Sequence, residues 1–397
     1  MLGMLCAAGV CVSPAEEFLF QYAKGDKYRV LSTVDESVYL NKTLSHTATI
    51  LNKIAVEVTE AKSGGGNLSC VFQTSEEAQE EGKKGIFSWG KTYESVFFRD
   101  ALGRYIIDKK YFMPIVRNVP VFPKKLLAVG ESWTAEGEEV HDFSDSLGLK
   151  EAVRFPIKAA YCYTGTEKKD EELYHIITVS YNVSHRPVYR TKPAAKMYPI
   201  VITGSSRQKL FWDSSRGRAQ AYEEEFTFMF ELSTGDSVEY RGSAHSEIID
   251  STPMSKKTMV EDIRKALEEL RVKDTAVRED EMGITLTLEN IQFPPDSDEL
   301  IKTEREKLDR IGQVLAKYAE RDILVTGHTA LAGTRSGRQK LSEDRAAAVG
   351  SYLIRSGVRS KERMVYRGLG AEVPVADNST EEGRRKNRRV EITILEN

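Results

Sequence analysis

The sequence predicts a multidomain fold: a β-rich N-terminal region, either an antiparallel sandwich or a curved sheet, followed by an α/β domain of two layers. Three observations predict it. The 397 residues exceed what one ordinary hydrophobic core serves. Residues 16–250 carry runs that alternate apolar and polar side chains between glycine-bearing polar turns. From residue 258 onward, helical and strand periodicities take turns, as in a sheet covered by helices. The chain divides accordingly into a leader at 1–15, the β-rich region at 16–250, a linker at 251–257 and the α/β domain at 258–397. The proline-containing stretch from Met113 to Lys125 leaves open whether the β-rich region is one unit or two, with a split near 113–150.

In the β-rich region, Tyr28 to Val34, Ser37 to Leu40, Thr47 to Val58 and Leu68 to Phe72 read as strands. The cluster Ser63-Gly-Gly-Gly-Asn67 is a turn. Tyr174 to Tyr181, Gln208 to Asp213, Ala219 to Leu232 and Ser237 to Ile249 follow, the last three as a meander of long antiparallel strands. A membrane barrel is the second reading, and the run Tyr222-Glu-Glu-Glu-Phe weighs against it by placing charge on a face that lipid would touch. In the last third, Thr258 to Val272 and Lys302 to Tyr318 read as amphipathic helices. Strands fall at Ile284 to Leu288, Ile323 to Val325, Met364 to Arg367 and Arg389 to Leu395, with a helix at Ser342 to Ser356.

A net charge of −3, with both signs mixed along the chain, gives no clustered basic face for nucleic acid. With 40% hydrophobic and 29% charged residues, the chain is that of a folded protein. The apolar, small-residue run Met1 to Val12, followed by Ser13-Pro14-Ala15, fits a signal peptide with a mature start near Glu16. A buried N-terminal helix is the alternative, and lipid attachment at Cys6 or Cys11 a lesser one. Cys70 and Cys162 would remain, either as one disulfide or as two thiols. No CxxC or Cys/His cluster calls for a metal, and no motif calls for a cofactor.

The segment GHTALAGTRSGRQKLSEDR, Gly327 to Arg345, concentrates the chemistry, with GRRKNRRVEI, Gly383 to Ile392, as its partner. A strand ends in a Gly-His-Thr turn, and a small-residue loop leads to a helix opening on Leu341-Ser342 with Arg345 in its first turns. That order predicts backbone N–H groups and a guanidinium around one pocket, a place for a carboxylate. His328 reads as a turn or packing residue. Gly368-x-Gly370 lacks the third glycine of a dinucleotide loop.

These blocks give the region from Val260 to Ile394 a specific resemblance. Ile291-Gln-Phe293, Ser297 and Leu300, Val325-Thr-Gly-His-Thr329, Leu341-Ser-Glu-Asp-Arg-Ala346, Gly368-Leu-Gly370, Pro374 to Asn378 and Gly383 to Val390 follow in the order and spacing of the OmpA-like peptidoglycan-binding domain. The resemblance implies non-covalent grip on the peptide stem of peptidoglycan. It implies that Arg345 takes a carboxylate of the stem's diamino acid, that Thr329 lies in the binding turn, and that Asn387 and Arg388 help frame the pocket. The family's Asp after Gly-His-Thr is Ala330 here, and its Asn before Leu-Ser is Arg338. Losing one member of a desolvated charge pair costs about 2–5 kcal/mol. The domain therefore reads a different or weaker stem contact, or keeps the fold as a scaffold with a degenerate pocket.

The reading implied is a non-catalytic envelope protein of the periplasm or outer membrane, tethered to the wall by its C-terminal domain. Its partners would be peptidoglycan and a protein or outer-membrane component of the envelope. No Gly-x-Ser-x-Gly, His-Glu-x-x-His or useful Cys/His pairing suggests an enzyme.

Overall fold

The computed structural model describes residues 15–62, 64–77, 85–169, 171–249, 254–289 and 300–396. The leader with Cys6 and Cys11, the first half of the linker, and the positions from Ile291 to Phe293 and at Ser297 lie outside the described residues. The chain forms two compact units. The first comprises residues 1–49, 53–72 and 92–249, the second residues 50–52, 73–91 and 250–397.

In the first half of the chain the strands are β1 (Lys27–Leu40), β2 (Thr43–Lys62), β3 (Gly65–Glu77), β4 (Phe87–Asp100), β5 (Tyr105–Ile107) and β6 (Val116–Arg117). They continue as β7 (Ser132–His141), β8 (Val153–Lys169), β9 (Glu172–His185), β10 (Pro199–Asp213), β11 (Arg218–Leu232) and β12 (Ser237–Ile249). β7 through β12 pair antiparallel in chain order, and β12 then pairs with β1. The period-two pattern explains the register. In β8, Val153, Phe155, Ile157, Ala159, Tyr161 and Tyr163 all point to the core while the residues between them face outward. The segment before β1 adds Phe18 and Phe20 to that core. The Trp212 ring lies 4.9 Å from Phe20 and 4.8 Å from Phe122, edge to face in both cases. Cys70 is buried and Cys162 half-buried, and both are free thiols; burial pushes the Cys70 thiol up to about 12.

The second unit contains α1 (Lys256–Glu269), β13 (Thr275–Asp280), β14 (Gly283–Glu289), α2 (Lys302–Leu315), β15 (Ile323–Gly327) and α3 (Arg335–Arg355). β16 (Met364–Gly368), α4 (Glu381–Asn387) and β17 (Arg389–Leu395) complete it. The strands run β13–β14–β17–β15–β16, antiparallel except for the parallel pair β15–β16. Ile284, Leu286 and Leu288 of β14 share one core with Ile263 of α1, Leu308 and Ile311 of α2 and Leu353 of α3. β13 and α4 are absent from the sequence reading. β13 buries only Val277, and α4 buries only Gly383 and Asn387, so neither carries an apolar period.

Residues 73–91 belong to this unit although they come from the β-rich half of the sequence. Phe87 and Ser88 of β4 pair in parallel with Val365 and Tyr366 of β16, extending the sheet by a short strand. Ile86 is fully buried in the unit's core, and a Cβ on Gly350 of α3 would lie 2.4 Å from its Cδ1.

The C-terminus of α2 is closed by a side chain from another element. Arg359 is 5% exposed, and its guanidinium donates to the carbonyls of Leu315, Tyr318, Arg321 and Val358. Helix-end carbonyls that lack i+4 partners are satisfied this way. Arg359→Met is expected to leave several of them unpaired and cost about 3 kcal/mol, roughly 10 °C in the melting of this unit. A thermal melt within 2 °C or so of wild type would contradict that role. Among the described residues, no helix is long and apolar enough to cross a membrane.

Candidate functional site

The site is built where β15 and β16 end against α3. Gly327 and Gly368, the last residues of those strands, lie flush against one turn of the helix. A Cβ on Gly327 would sit 2.0 Å from the Ser342 carbonyl oxygen, and one on Gly368 would sit 2.4 Å from the Ser342 Oγ. Only glycine permits that approach. Ser342 is fully buried, accepts from the Gly370 amide at 2.9 Å and donates to the Gln339 carbonyl at 2.7 Å. The Gln339 amide donates in turn to the Gly368 carbonyl at 2.8 Å.

These contacts hold two loops together. The Thr329 amide donates to the Gly370 carbonyl at 2.8 Å, and the Leu369 amide to the Gly327 carbonyl at 3.0 Å. Leu331 donates its amide to the Asn378 Oδ1 at 2.9 Å. Asn387 is fully buried. Its Oδ1 accepts from the amides of Val375 and Ala376, and its Nδ2 donates to the Ala376 carbonyl. It therefore clamps the loop at Val375–Ala376, with its amide turned to the backbone.

Helix α3 begins at Arg335, seven residues before the Ser342 start read from the sequence. Gly333 and Ser336-Gly337 look like loop, yet Thr334 is extended and its Oγ1 accepts from the Gly337 amide at 3.1 Å, an N-cap. Arg345 thus lies ten residues into the helix, about 15 Å along its axis from the first turn. The expected grouping of helix-start N–H groups with this guanidinium does not form. Arg345 is instead half-buried, on the same face as Ser342 three residues earlier.

Thr329 is 6% exposed, and its hydroxyl has no partner among the described residues. Ala330 is equally buried and presents a methyl group. Arg338 turns back on its own loop, donating to the Gly333 carbonyl at 2.6 Å. Arg388 follows α4 directly, half-buried and paired with Glu381 at 2.7 Å. Asp344 is 3.7 Å from Lys340 on the same helix. Exposed apolar side chains, Leu331, Val373 and Val375, sit on these loops.

The buried guanidinium of the GRRKNRRVEI segment is Arg389, which the sequence reading passes over. Its Nε donates to Glu391 at 2.8 Å, and its Nη2 contacts the Val373 carbonyl at 3.2 Å and His328 Nε2 at 3.4 Å. Arg278 of β13 reaches the other Glu391 oxygen at 2.9 Å. Burial alone would push the Glu391 carboxyl up, but hydrogen bonds from Arg278 and Arg389, with His328 Nε2 3.7 Å away, hold it well below the usual carboxylate range. Alternation in Arg389-Val-Glu-Ile-Thr-Ile was the available signal, since the residues between the core positions form a row of their own.

Burial lowers the His328 pKa, and Arg389 and Arg367 add to that; Glu391 opposes it. A histidine depressed in the folded state contributes stability above its unfolded pKa, about 6.5, and loses it as pH falls. The melting temperature of the chain is expected to decline between about pH 7 and 5, and His328→Asn to flatten that slope. An identical slope in the variant would remove His328 as its source. Among the described residues, no group of His, Cys, Asp and Glu is arranged to hold a metal ion.

Residues 292–388 match the family described as the OmpA family. The C-terminal unit carries an OmpA-family domain. Outer membrane protein A of Bordetella avium is 39% identical over 103 residues, 26% of this chain and 53% of that protein. Peptidoglycan-binding protein ArfA of Mycobacterium tuberculosis (strain ATCC 25618 / H37Rv) is 36% identical over 104 residues, 26% of this chain and 32% of that protein. Among solved structures, an outer membrane protein from Borrelia burgdorferi B31 is 36% identical with a TM-score of 0.26, covering 30% of this chain and 96% of that one. The chain thus spans little more than half the length of the first curated relative and a third of the second.

Proposed function

We propose that this is a non-catalytic envelope protein whose OmpA-family domain docks onto peptidoglycan stem peptides and tethers the β-rich unit to the cell wall. The similarity to an outer membrane protein and to a peptidoglycan-binding protein supports an envelope location and a wall partner. In this reading residues 16–250 form a curved antiparallel sheet that meets an envelope partner in the periplasm or at the outer membrane. Residues 258–397 are the α/β anchor.

The observation that carries the reading is the donor set at the end of β15. The half-buried Arg345 lies one turn past Ser342, and the Thr329 hydroxyl, without a partner among the described residues, lies two residues past Gly327, which packs against Ser342. A guanidinium and a hydroxyl donor on these two elements would suit a stem carboxylate. Ala330 leaves the ammonium side of a diamino acid without a partner. That favours a stem whose third residue presents its charge differently, and Leu331, Val373 and Val375 offer it an apolar rim.

Retention of the full chain on purified sacculi at physiological salt tests this. Wild type is expected to be retained, and Arg345→Ala, checked for folding by its melt, to bind roughly tenfold more weakly. Equal retention of the variant would remove Arg345 from the contact. No retention of either would favour the second reading, which Ala330 motivates: a degenerate pocket kept as scaffold.

A further inference from the structure

The C-terminal unit holds a cleft of about 430 Å³ on the other flank of α4. It lies among the turn at residues 271–274, the end of β14, the stretch of α2 from Thr303 to Arg310, and α4. Asn387 and Arg385, two apart on α4, face different ways. Asn387 is buried against the Val375–Ala376 backbone, and Arg385 lines the cleft.

Five cations line it: Arg271, Lys273, Lys307, Arg310 and Arg385. Among the described residues none of the five forms an ion pair. The contrast with the rest of α4 is direct, because Arg384 and Arg388 pair with Glu381, and Lys386 with Glu382. Three carboxylates, Asp274, Glu289 and Glu304, also border the cleft, and all three act on Lys307. The Lys307 ammonium donates to the Asp274 carbonyl at 3.1 Å, and its burial draws its pKa down. With five cations against three carboxylates, the lining keeps a net charge of +2. Arg271 and Asp274 both take φ of 53, so the turn that bears Arg271 and Lys273 is left-handed at both ends.

We propose that this cleft is a second binding site, separate from the loop pocket, and that it takes an oxyanionic group, a phosphate or a carboxylate carried by a small polar molecule. Guanidinium groups from three elements offer planar forks that match such a group bidentately. The start of α2, with Thr303 and Glu304 at the cleft, adds the positive end of a helix dipole. The volume suits a sugar-sized ligand better than a bare ion. The lining is almost wholly polar, with Val272 as its one apolar side chain, which disfavours an acyl chain.

Titration calorimetry of the full chain with inorganic phosphate, glucose 6-phosphate and citrate separates the phosphate source from the carboxylate source. At least one probe is expected to bind saturably, more weakly as salt rises. The double variant Arg310→Gln/Arg385→Gln should weaken that binding roughly tenfold or more, while Arg345→Ala leaves it unchanged. Arg310 and Arg385 make no hydrogen bond or ion pair among the described residues, so the double variant should melt as wild type does. Three results would each overturn the proposal: no saturable binding of any probe at millimolar concentration, undiminished binding by the double variant, or loss of binding in Arg345→Ala, which would put the anion in the loop pocket.

Discussion

Ala330→Asp is expected to raise affinity for a diaminopimelate-containing stem peptide by roughly thirtyfold or more. The residue follows the Gly-His-Thr turn, where the resemblance to peptidoglycan-binding OmpA-like domains implies an aspartate facing an ammonium. It stands fifteen residues before Arg345, so the substitution would restore opposite charges for the two ends of one zwitterion. The same change should destabilise the free protein, because position 330 is 6% exposed and a carboxylate there lacks a partner until ligand arrives. Calorimetry with the stem peptide and a melt with and without it check both halves. The variant should melt below wild type alone and recover with ligand. No gain in affinity would mean that the pocket differs from a binding one by more than this side chain.

Gly327→Ala is expected to cost about 4 kcal/mol, roughly 12 °C in the melting of the C-terminal unit. The added methyl would lie 2.0 Å from the Ser342 carbonyl oxygen and 2.8 Å from its carbon, both backbone atoms inside a helix. No rotamer relieves that overlap, so α3 must move off the end of β15 and take the turn bearing Thr329 with it. Gly333→Ala makes the comparison. Its φ is +74 but the space around it is open, so the loss there is about 1 kcal/mol. Equal melting of the two variants would show that the close approach at Gly327 does not limit stability.

Much of the C-terminal unit was legible because its strands bury one face in a strict alternation. Ile284, Leu286 and Leu288 point to the helices, with threonines between them, and the closing strand repeats the pattern from Val390 to Ile394. The meander of β10 to β12 shows itself the same way, helped by turns at Gly217 and Gly235, whose φ values are 56 and 90. β13 and α4 were not legible, since charge dominates both and tertiary contacts hold them in place. The start of α3 was misplaced because Gly333 and Gly337 look like loop residues, and only the capping bond from Thr334 tells them apart from one.

For the candidate site, spacing located Arg345 and Ala330. It could not reveal that Asn387 spends its amide on the Val375–Ala376 backbone, because that depends on how a distant loop folds back. Nor could it rank Arg389 above Arg388. Adjacent arginines on a chain leaving a helix for a strand differ only in which side of the sheet each meets, and Arg389 is 2% exposed while Arg388 is half-buried and pairs with Glu381.

The strand that Phe87 and Ser88 lend to β16 has a consequence for synthesis and for truncation. Those residues leave the ribosome long before Val365 and Tyr366, their partners in the sheet. The second unit therefore cannot finish its edge as a late, self-contained event; it closes on a piece of chain that has been waiting. A protein cut at the linker would lack Ile86 and Phe87, leaving a gap beside Gly350 and a bare, hydrogen-bonding edge on β16 open to other chains.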